Sequence, residues 1–173
     1  MITLFVEENN PITSNFYNKT INNLQFHQLT CPCGHSGCLC VHGYYHRFVK
    51  TSSGKLKFRI CRVLCECCGH THALLLSSMV PHSQISLNDH ISIINNYENG
   101  SSQNSVMNSN PSIDESNYRY IIRCYKLYWR EKLLSERILL MPALNLINSC
   151  FVHFSHQFMQ IKNTPNILFS NTT

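Results

Sequence analysis

Acidic side chains are scarce in this sequence, and their scarcity argues against one broad class of enzymes. The chain has only nine Asp and Glu among its 173 residues. A nuclease that works through two metal ions needs three spaced carboxylates to hold them, and the acid-poor stretches leave no convincing triad. A catalytic cysteine would need a thiol of low pKa beside a base, and nothing in the sequence favours one. We therefore expect a non-catalytic protein with no small-molecule substrate.

Long apolar runs are also missing. No stretch of about 18 apolar residues occurs, so we expect no membrane span and no membrane partner. The first residues, Met-Ile-Thr-Leu-Phe-Val-Glu-Glu, lack the basic region and the long apolar core of a secretory signal. These absences predict a cytoplasmic location. In such a reducing compartment, cysteines are more often metal ligands than partners in disulfides.

Cysteine, in contrast, is abundant, and eight of the ten cysteines lie in residues 31–80. Residues 65–70 read Cys-Glu-Cys-Cys-Gly-His, in which a Cys-x2-Cys pair is followed by Gly. This is the zinc-knuckle pattern, which places two thiolates on one tight turn and uses Gly for the close approach of the backbone. Residues 31–35 read Cys-Pro-Cys-Gly-His, with the same Cys-Gly-His ending and one residue fewer between the cysteines.

Two such clusters on either side of a hairpin predict one closed, four-thiolate zinc site, which would be structural because it leaves no position for water. Spacing alone leaves the choice of the first pair of ligands open. The candidates for that pair are Cys31, Cys33, Cys38 and Cys40, with His42 as a further alternative. We expect Cys67 to be a spare thiol and Cys61 to point inward as a small apolar side chain.

The segment between the clusters predicts a basic hairpin. Residues 44–49 and 56–63 have strand patterns on either side of a turn signal at 51–54, and residues 73–76 continue as a third strand. From Val41 to Val63 there are six cations and no acid, which favours contact with phosphate groups. The cations that we assign to this contact are Arg47, Lys55, Lys57 and Arg59.

The second half of the chain has a helical pattern. It predicts helices over 87–98 and 102–109, a break at Asn110-Pro111, and a long helix that begins after a cap at Ser112 or Asp114 and ends near 135. This order is typical of a helix-turn-helix whose third helix contacts DNA. Cations at steps of four, three and four residues form one stripe on that helix, with a merely solvated face as the alternative. The stripe consists of Arg119, Arg123, Lys126 and Arg130.

These patterns together predict an α+β fold. Its parts are a lead-in (1–30), a zinc ribbon (31–82), a helix-turn-helix-like region (86–137), a C-terminal amphipathic helix (142–162) and a tail (163–173). Aromatic and apolar residues recur on the last helix at steps of three, four and three, which is typical of a stripe that faces a core or a partner. They are Phe151, Phe154, Phe158 and Ile161.

Several of these stretches resemble an uncharacterised family of short proteins from Gram-positive gut anaerobes. The matching stretches are residues 31–35, Ile-Cys-Arg-Val at 60–63, Cys-Glu-Cys-Cys-Gly at 65–69, residues 72–84 and residues 110–115. Members of that family look like the zinc-ribbon and helix-turn-helix front end of insertion-sequence transposases. The resemblance implies DNA binding near mobile elements. It also implies a particular set of zinc ligands, namely Cys31, Cys33, Cys65 and Cys68.

Three functional hypotheses fit these patterns. The first is a zinc-binding, DNA-binding protein that is a mobile-element accessory or an orphan transposase fragment. The second is a zinc-stabilised protein-interaction module whose last helix docks on a transposase or on a second copy of the chain. The third is RNA binding through aromatic residues of the basic hairpin, which are Tyr44, Tyr45 and Phe58.

Overall fold

A sheet followed by helices makes up the fold, which confirms the predicted α+β class. The computed structural model describes residues 1–6, 12–51, 54–109, 113–138 and 143–154. Four strands in these ranges form one sheet in the order β1-β4-β3-β2. The strands are β1 (Ile2–Leu4), β2 (Leu39–Thr51), β3 (Gly54–Cys65) and β4 (Thr71–Leu76).

The predicted basic hairpin is present as the antiparallel pair β2–β3. Its side chains alternate along β3, so that Phe58 and Ile60 are buried while Lys57 and Arg59 are exposed, as the period of two in a strand requires. A bulge between Val41 and Gly43 interrupts the pairing once. The predicted third strand is β4, and the middle of the predicted turn, Ser52-Ser53, lies outside the described residues.

Residues 1–30, which we expected to be a lead-in, contribute to the sheet half. β1 runs parallel to β4, and helix α1 (Ser14–Asn22) packs against β3. The hydroxyl of Thr13 accepts a hydrogen bond from the Phe16 N–H and so caps α1. That cap and the apolar residues of α1 are the sequence signal for a helix here.

Tyr17 of α1 completes the ladder between β3 and β4. Pairing of these strands stops at Arg62 and Ala73, so the next residues, Cys61 and Leu74, do not pair directly with each other. The Cys61 N–H donates to the Tyr17 hydroxyl (2.8 Å), and that hydroxyl donates to the Leu74 carbonyl (3.0 Å). One buried phenol therefore satisfies two buried backbone groups, and its burial raises the pKa of Tyr17.

The helical half follows the sequence prediction closely. Helices α2 (Leu87–Glu98), α3 (Gln103–Ser109) and α4 (Glu115–Cys124) occupy the predicted ranges, with Ser86 and Asp114 as caps of α2 and α4. The predicted long helix continues through a π-helical segment (Tyr125–Trp129) and α5 (Arg130–Ser135). Asn110, Pro111 and Ser112 lie outside the described residues.

The last described element is α6 (Ala143–Phe154). Leu146, Ile147 and Cys150 are buried in the helical core, and Phe151 and Phe154 pack against it. The described part of the predicted aromatic stripe therefore faces the protein's own core. Phe158, Ile161, Pro142 and the predicted tail lie outside the described residues. No helix in the described ranges combines the length and the apolar character needed to cross a bilayer.

The sheet and the helices have separate buried clusters, and the segment that follows β4 connects them. The Arg47 guanidinium donates to the carbonyls of Val80 and Ser83. Lys50 forms a 3.4 Å ion pair with Asp114, the cap of α4. These contacts fix the hairpin to the start of the helical half.

Candidate metal centre

Four cysteine thiols converge at the end of the hairpin that is opposite its turn. The sulfur atoms of Cys31, Cys33, Cys65 and Cys68 all lie within 4.8 Å of one another. The sulfur atoms of Cys31 and Cys68 are 3.8 Å apart, and so are those of Cys33 and Cys65. A tetrahedral ion with metal–sulfur bonds of about 2.3 Å requires sulfur–sulfur distances of about 3.8 Å. The four thiols therefore fit a metal ion, and the structure brings together the ligand set that the resemblance implied.

The two turns that carry these thiols are built alike. In the first, the Cys31 N–H donates to the His35 carbonyl and the Gly34 N–H donates to the Cys31 carbonyl. In the second, the Cys65 N–H donates to the His70 carbonyl and the Gly69 N–H donates to the Cys65 carbonyl. Both glycines have positive φ, +93° and +71°, which favours glycine. The shared Cys-Gly-His pattern thus marks equivalent positions, and the extra residue of the second turn is accommodated within its loop.

Burial and hydrogen bonding give the four thiols different properties. Cys31 and Cys65 are buried, Cys68 is half-buried and Cys33 is exposed. The backbone N–H and the ring of His35 lower the pKa of Cys33 to about 6, whereas burial raises the pKa of Cys31 to about 12. A bound metal ion would remove the proton from each thiol on binding.

His72 is a neighbour of the site that the sequence analysis missed. Its Nε2 lies 3.4 Å from the Cys31 sulfur, and its Nδ1 lies 2.8 Å from the Met1 nitrogen. Burial lowers the pKa of His72, which favours the neutral ring. The ring thus lies directly beside one of the four sulfur atoms, as in metal sites where a second layer of groups orients the ligands. The only sequence signal was a histidine at the start of the strand after the second turn.

The other cysteines near the site have different roles. Cys38 and Cys67 form a disulfide, so the expectation that Cys67 is spare was wrong. The Glu66 N–H also donates to the Cys38 carbonyl, so the two segments are hydrogen-bonded beside the bridge. The Cys40 thiol takes part in neither the cluster nor the bridge and donates to the Leu64 carbonyl (3.7 Å). Cys61 is buried as expected.

The cations assigned to phosphate contact divide into two groups on the hairpin. Lys55, Lys57 and Arg59 are exposed on β3. Arg47 is half-buried and its guanidinium is engaged by backbone carbonyls, so it holds the structure together and we leave it out of the candidate surface.

The cationic stripe on the long helix is partly neutralised. Arg119 pairs with Glu115 on the same helix, and Arg130 pairs with Glu98 of α2 at 2.8 Å. The hydrogen bond from Arg130 holds the pKa of Glu98 below its usual value. Arg123 is exposed, and the Lys126 ammonium lies 4.7 Å from the centre of the Tyr97 ring. The stripe therefore offers less net positive charge than its sequence predicts.

This fold and this thiol cluster define a small α+β protein with a candidate metal centre. Residues 31–119, just over half of the chain, match the domain of unknown function DUF6431. The chain belongs to this family. The match extends from the first cysteine of the cluster into α4 and so includes the whole candidate metal centre. No curated protein and no solved structure matches the chain.

Proposed function

We propose that this protein is a non-catalytic DNA-binding protein whose basic hairpin is held in shape by a structural zinc ion. The observation that carries the proposal is the position of the thiol cluster at the base of an exposed, acid-free hairpin. Cys31 and Cys65 belong to the buried core of the sheet half, so a metal ion there would fix the hairpin relative to that core.

Zinc is the metal that best suits the four thiols. Tetrahedral sites with four sulfur ligands in proteins hold zinc or iron, and zinc has no redox chemistry. A closed four-cysteine site leaves no position for a reacting water, so the ion would act structurally. This supports a binding protein in preference to a metalloenzyme.

DNA suits the charge of the hairpin. The exposed cations Lys55, Lys57 and Arg59 lie on β3, and the segment from Val41 to Val63 contains no acid that would oppose them. Arg123 and Lys126 offer a second cationic area on the long helix. The link to transposase front ends stays a prediction that the resemblance alone supports, and the protein-interaction hypothesis also stays a prediction.

A salt titration with a labelled duplex tests the proposal. If binding uses about five phosphates, the logarithm of affinity should fall against the logarithm of salt concentration with a slope near about −4 or −5. K57E/R59E should reduce the magnitude of this slope by about 2. A reduced slope for R123E/K126E would show that the long helix also contacts phosphates.

The matched control is K19E, which reverses an exposed cation on α1, away from both surfaces. It should leave the slope unchanged. A zinc-loaded wild-type protein that binds neither duplex nor single-stranded DNA at low salt would rule out the proposal.

A further inference from the structure

We infer that the outer face of the β2–β3 hairpin binds single-stranded DNA by stacking unpaired bases on a row of aromatic rings. This inference rests on the proposed DNA-binding function and specifies its ligand. The face is made of two parallel rows of exposed side chains. They are Tyr44, His46 and Phe48 on β2, and Lys55, Lys57 and Arg59 on β3.

The register of the hairpin sets the rings beside the charges. His46 pairs with Arg59, and Phe48 pairs with Lys57. Because paired strands lie about 4.8 Å apart, a nucleic-acid backbone that follows the cations of β3 places its bases over the rings of β2. A positively charged track beside aromatic platforms is the arrangement by which proteins bind single strands without sequence preference.

The rings are open to solvent in spite of their apolar character. Tyr44 is 45% exposed and Phe48 is 36% exposed. The guanidinium carbon of Arg59 lies 4.0 Å from the centre of the Tyr44 ring, and the ammonium of Lys55 lies 4.4 Å from the centre of the Phe48 ring. A base that stacks on one of these rings takes the place of the cation, whose flexible side chain then reaches the phosphate of that nucleotide.

The spacing of the rings favours single strands over duplex. Side chains at alternate positions of a strand are about 6.8 Å apart, which is twice the rise of about 3.4 Å between stacked bases in duplex DNA. Bases that occupy successive rings must therefore be separated from their neighbours. A single strand permits this separation, whereas a duplex resists it.

The structure also corrects the set of aromatic residues that the sequence suggested for nucleic-acid contact. Phe58 is fully buried, and Tyr45 lies on the opposite face, beside Arg47 and Met1. Phe48 and His46 take their places in the row with Tyr44.

Fluorescence anisotropy with zinc-loaded, full-length protein tests this inference. The probes are a labelled oligo-dT of about 12 nucleotides and a mixed-sequence duplex of the same length. The single strand should bind at least tenfold more tightly than the duplex. Y44L/F48L should weaken single-strand binding about 30-fold or more and should change duplex binding less than threefold.

Two matched variants control for the loss of an aromatic ring. Y44F/F48Y keeps both rings and should bind as the wild type does. F5L removes a different exposed ring, on a residue next to β1, and should also bind normally. Far-ultraviolet circular dichroism and zinc content identify any variant that has not folded. If Y44L/F48L does not fold, the comparison of single strand with duplex on the wild-type protein decides the question.

The outcomes separate this inference from the proposed function. Salt-dependent binding of duplex that is tighter than binding of the single strand, or full binding by Y44L/F48L, overturns the inference and leaves the DNA-binding function intact. Tenfold tighter binding of oligo-rU than of oligo-dT overturns the assignment to DNA. Absence of binding to every probe at low salt overturns both proposals.

Discussion

Tyr17 shows how a single hydroxyl can hold an element in place. The ring is 1% exposed, and its hydroxyl links the backbones of β3 and β4 where their direct pairing ends. A buried backbone group that loses its partner costs free energy, because no water replaces the lost hydrogen bond. The contribution of Tyr17 therefore comes from its hydroxyl as well as from its buried ring.

Tyr17→Phe should lower the free energy of unfolding by about 2–4 kcal/mol, because both backbone groups lose their partner and the ring stays in place. Urea denaturation of the zinc-loaded protein measures the change. Tyr128→Phe removes the hydroxyl of a tyrosine that is 37% exposed and should change the free energy of unfolding by less than about 0.5 kcal/mol. Equal stability of the two variants would mean that the bridge adds nothing.

The elements around the candidate metal centre are joined by a disulfide, and a bound ion would join them a second time. Two of the four thiols precede β2 and two lie at or just after the end of β3, and the disulfide of Cys38 and Cys67 joins the same two regions. A covalent bridge limits the conformations of the unfolded chain, and the effect grows with the length of the loop that it closes. If the unfolded chain keeps its metal ion, the ion closes nearly the same loop as the disulfide. Each cross-link then adds less to the free energy of unfolding when the other is present.

C38S/C67S should lower the free energy of unfolding by up to about 3–4 kcal/mol, which is the chain-entropy value for a loop of this length, since the bridged residues are 29 apart. Urea denaturation in zinc-containing, non-reducing buffer measures it. Cys40→Ser, which alters a nearby thiol outside the bridge and the cluster, should have a much smaller effect. If mass spectrometry after alkylation shows no bridge in the wild type and the variants match it in stability, this account of the disulfide is wrong.

Local sequence was sufficient to predict several elements and insufficient for others. Helices α2 and α4 begin at the predicted places because the side chains of their caps, Ser86 and Asp114, each accept a hydrogen bond from the backbone N–H three residues on. β1 has only three residues and pairs with β4, more than 60 residues away. Its pairing depends on contacts that no local pattern encodes, and the position of α1 over the sheet depends on the same contacts.

At the scale of the whole molecule, the candidate metal centre belongs to one of two buried clusters. The sheet cluster contains Cys31 and Cys65, whereas the helical cluster contains none of the four cysteines of the candidate metal centre. Binding free energies of structural zinc are about 10–16 kcal/mol in zinc-finger peptides, and whole domains are stable by only about 5–15 kcal/mol. Loss of the ion should therefore affect the sheet half more than the helices.

Chelation should release one zinc ion per chain and should speed hydrogen exchange of the β2 and β3 amides more than that of the α4 amides. Cys65→Ser should have the same effect without chelator, and Cys40→Ser should keep both the metal and the protection. Elemental analysis and hydrogen-exchange mass spectrometry give the two readouts. An apo protein whose β3 amides keep their protection would show that the fold does not depend on the metal.

Neighbouring residues alone account for the two Cys-Gly-His turns, the alternation of the hairpin and the helix caps, because each of these is a local pattern. Tertiary structure decided which of several nearby cysteines converge, because Cys31 and Cys33 meet Cys65 and Cys68 only after β2 and β3 pair in register. It likewise decided that Cys38 meets Cys67, that Arg47 is engaged by backbone carbonyls and that Phe48 is exposed while Phe58 is buried. Each of these outcomes depends on contacts between residues far apart in the chain, which patterns along the sequence do not specify.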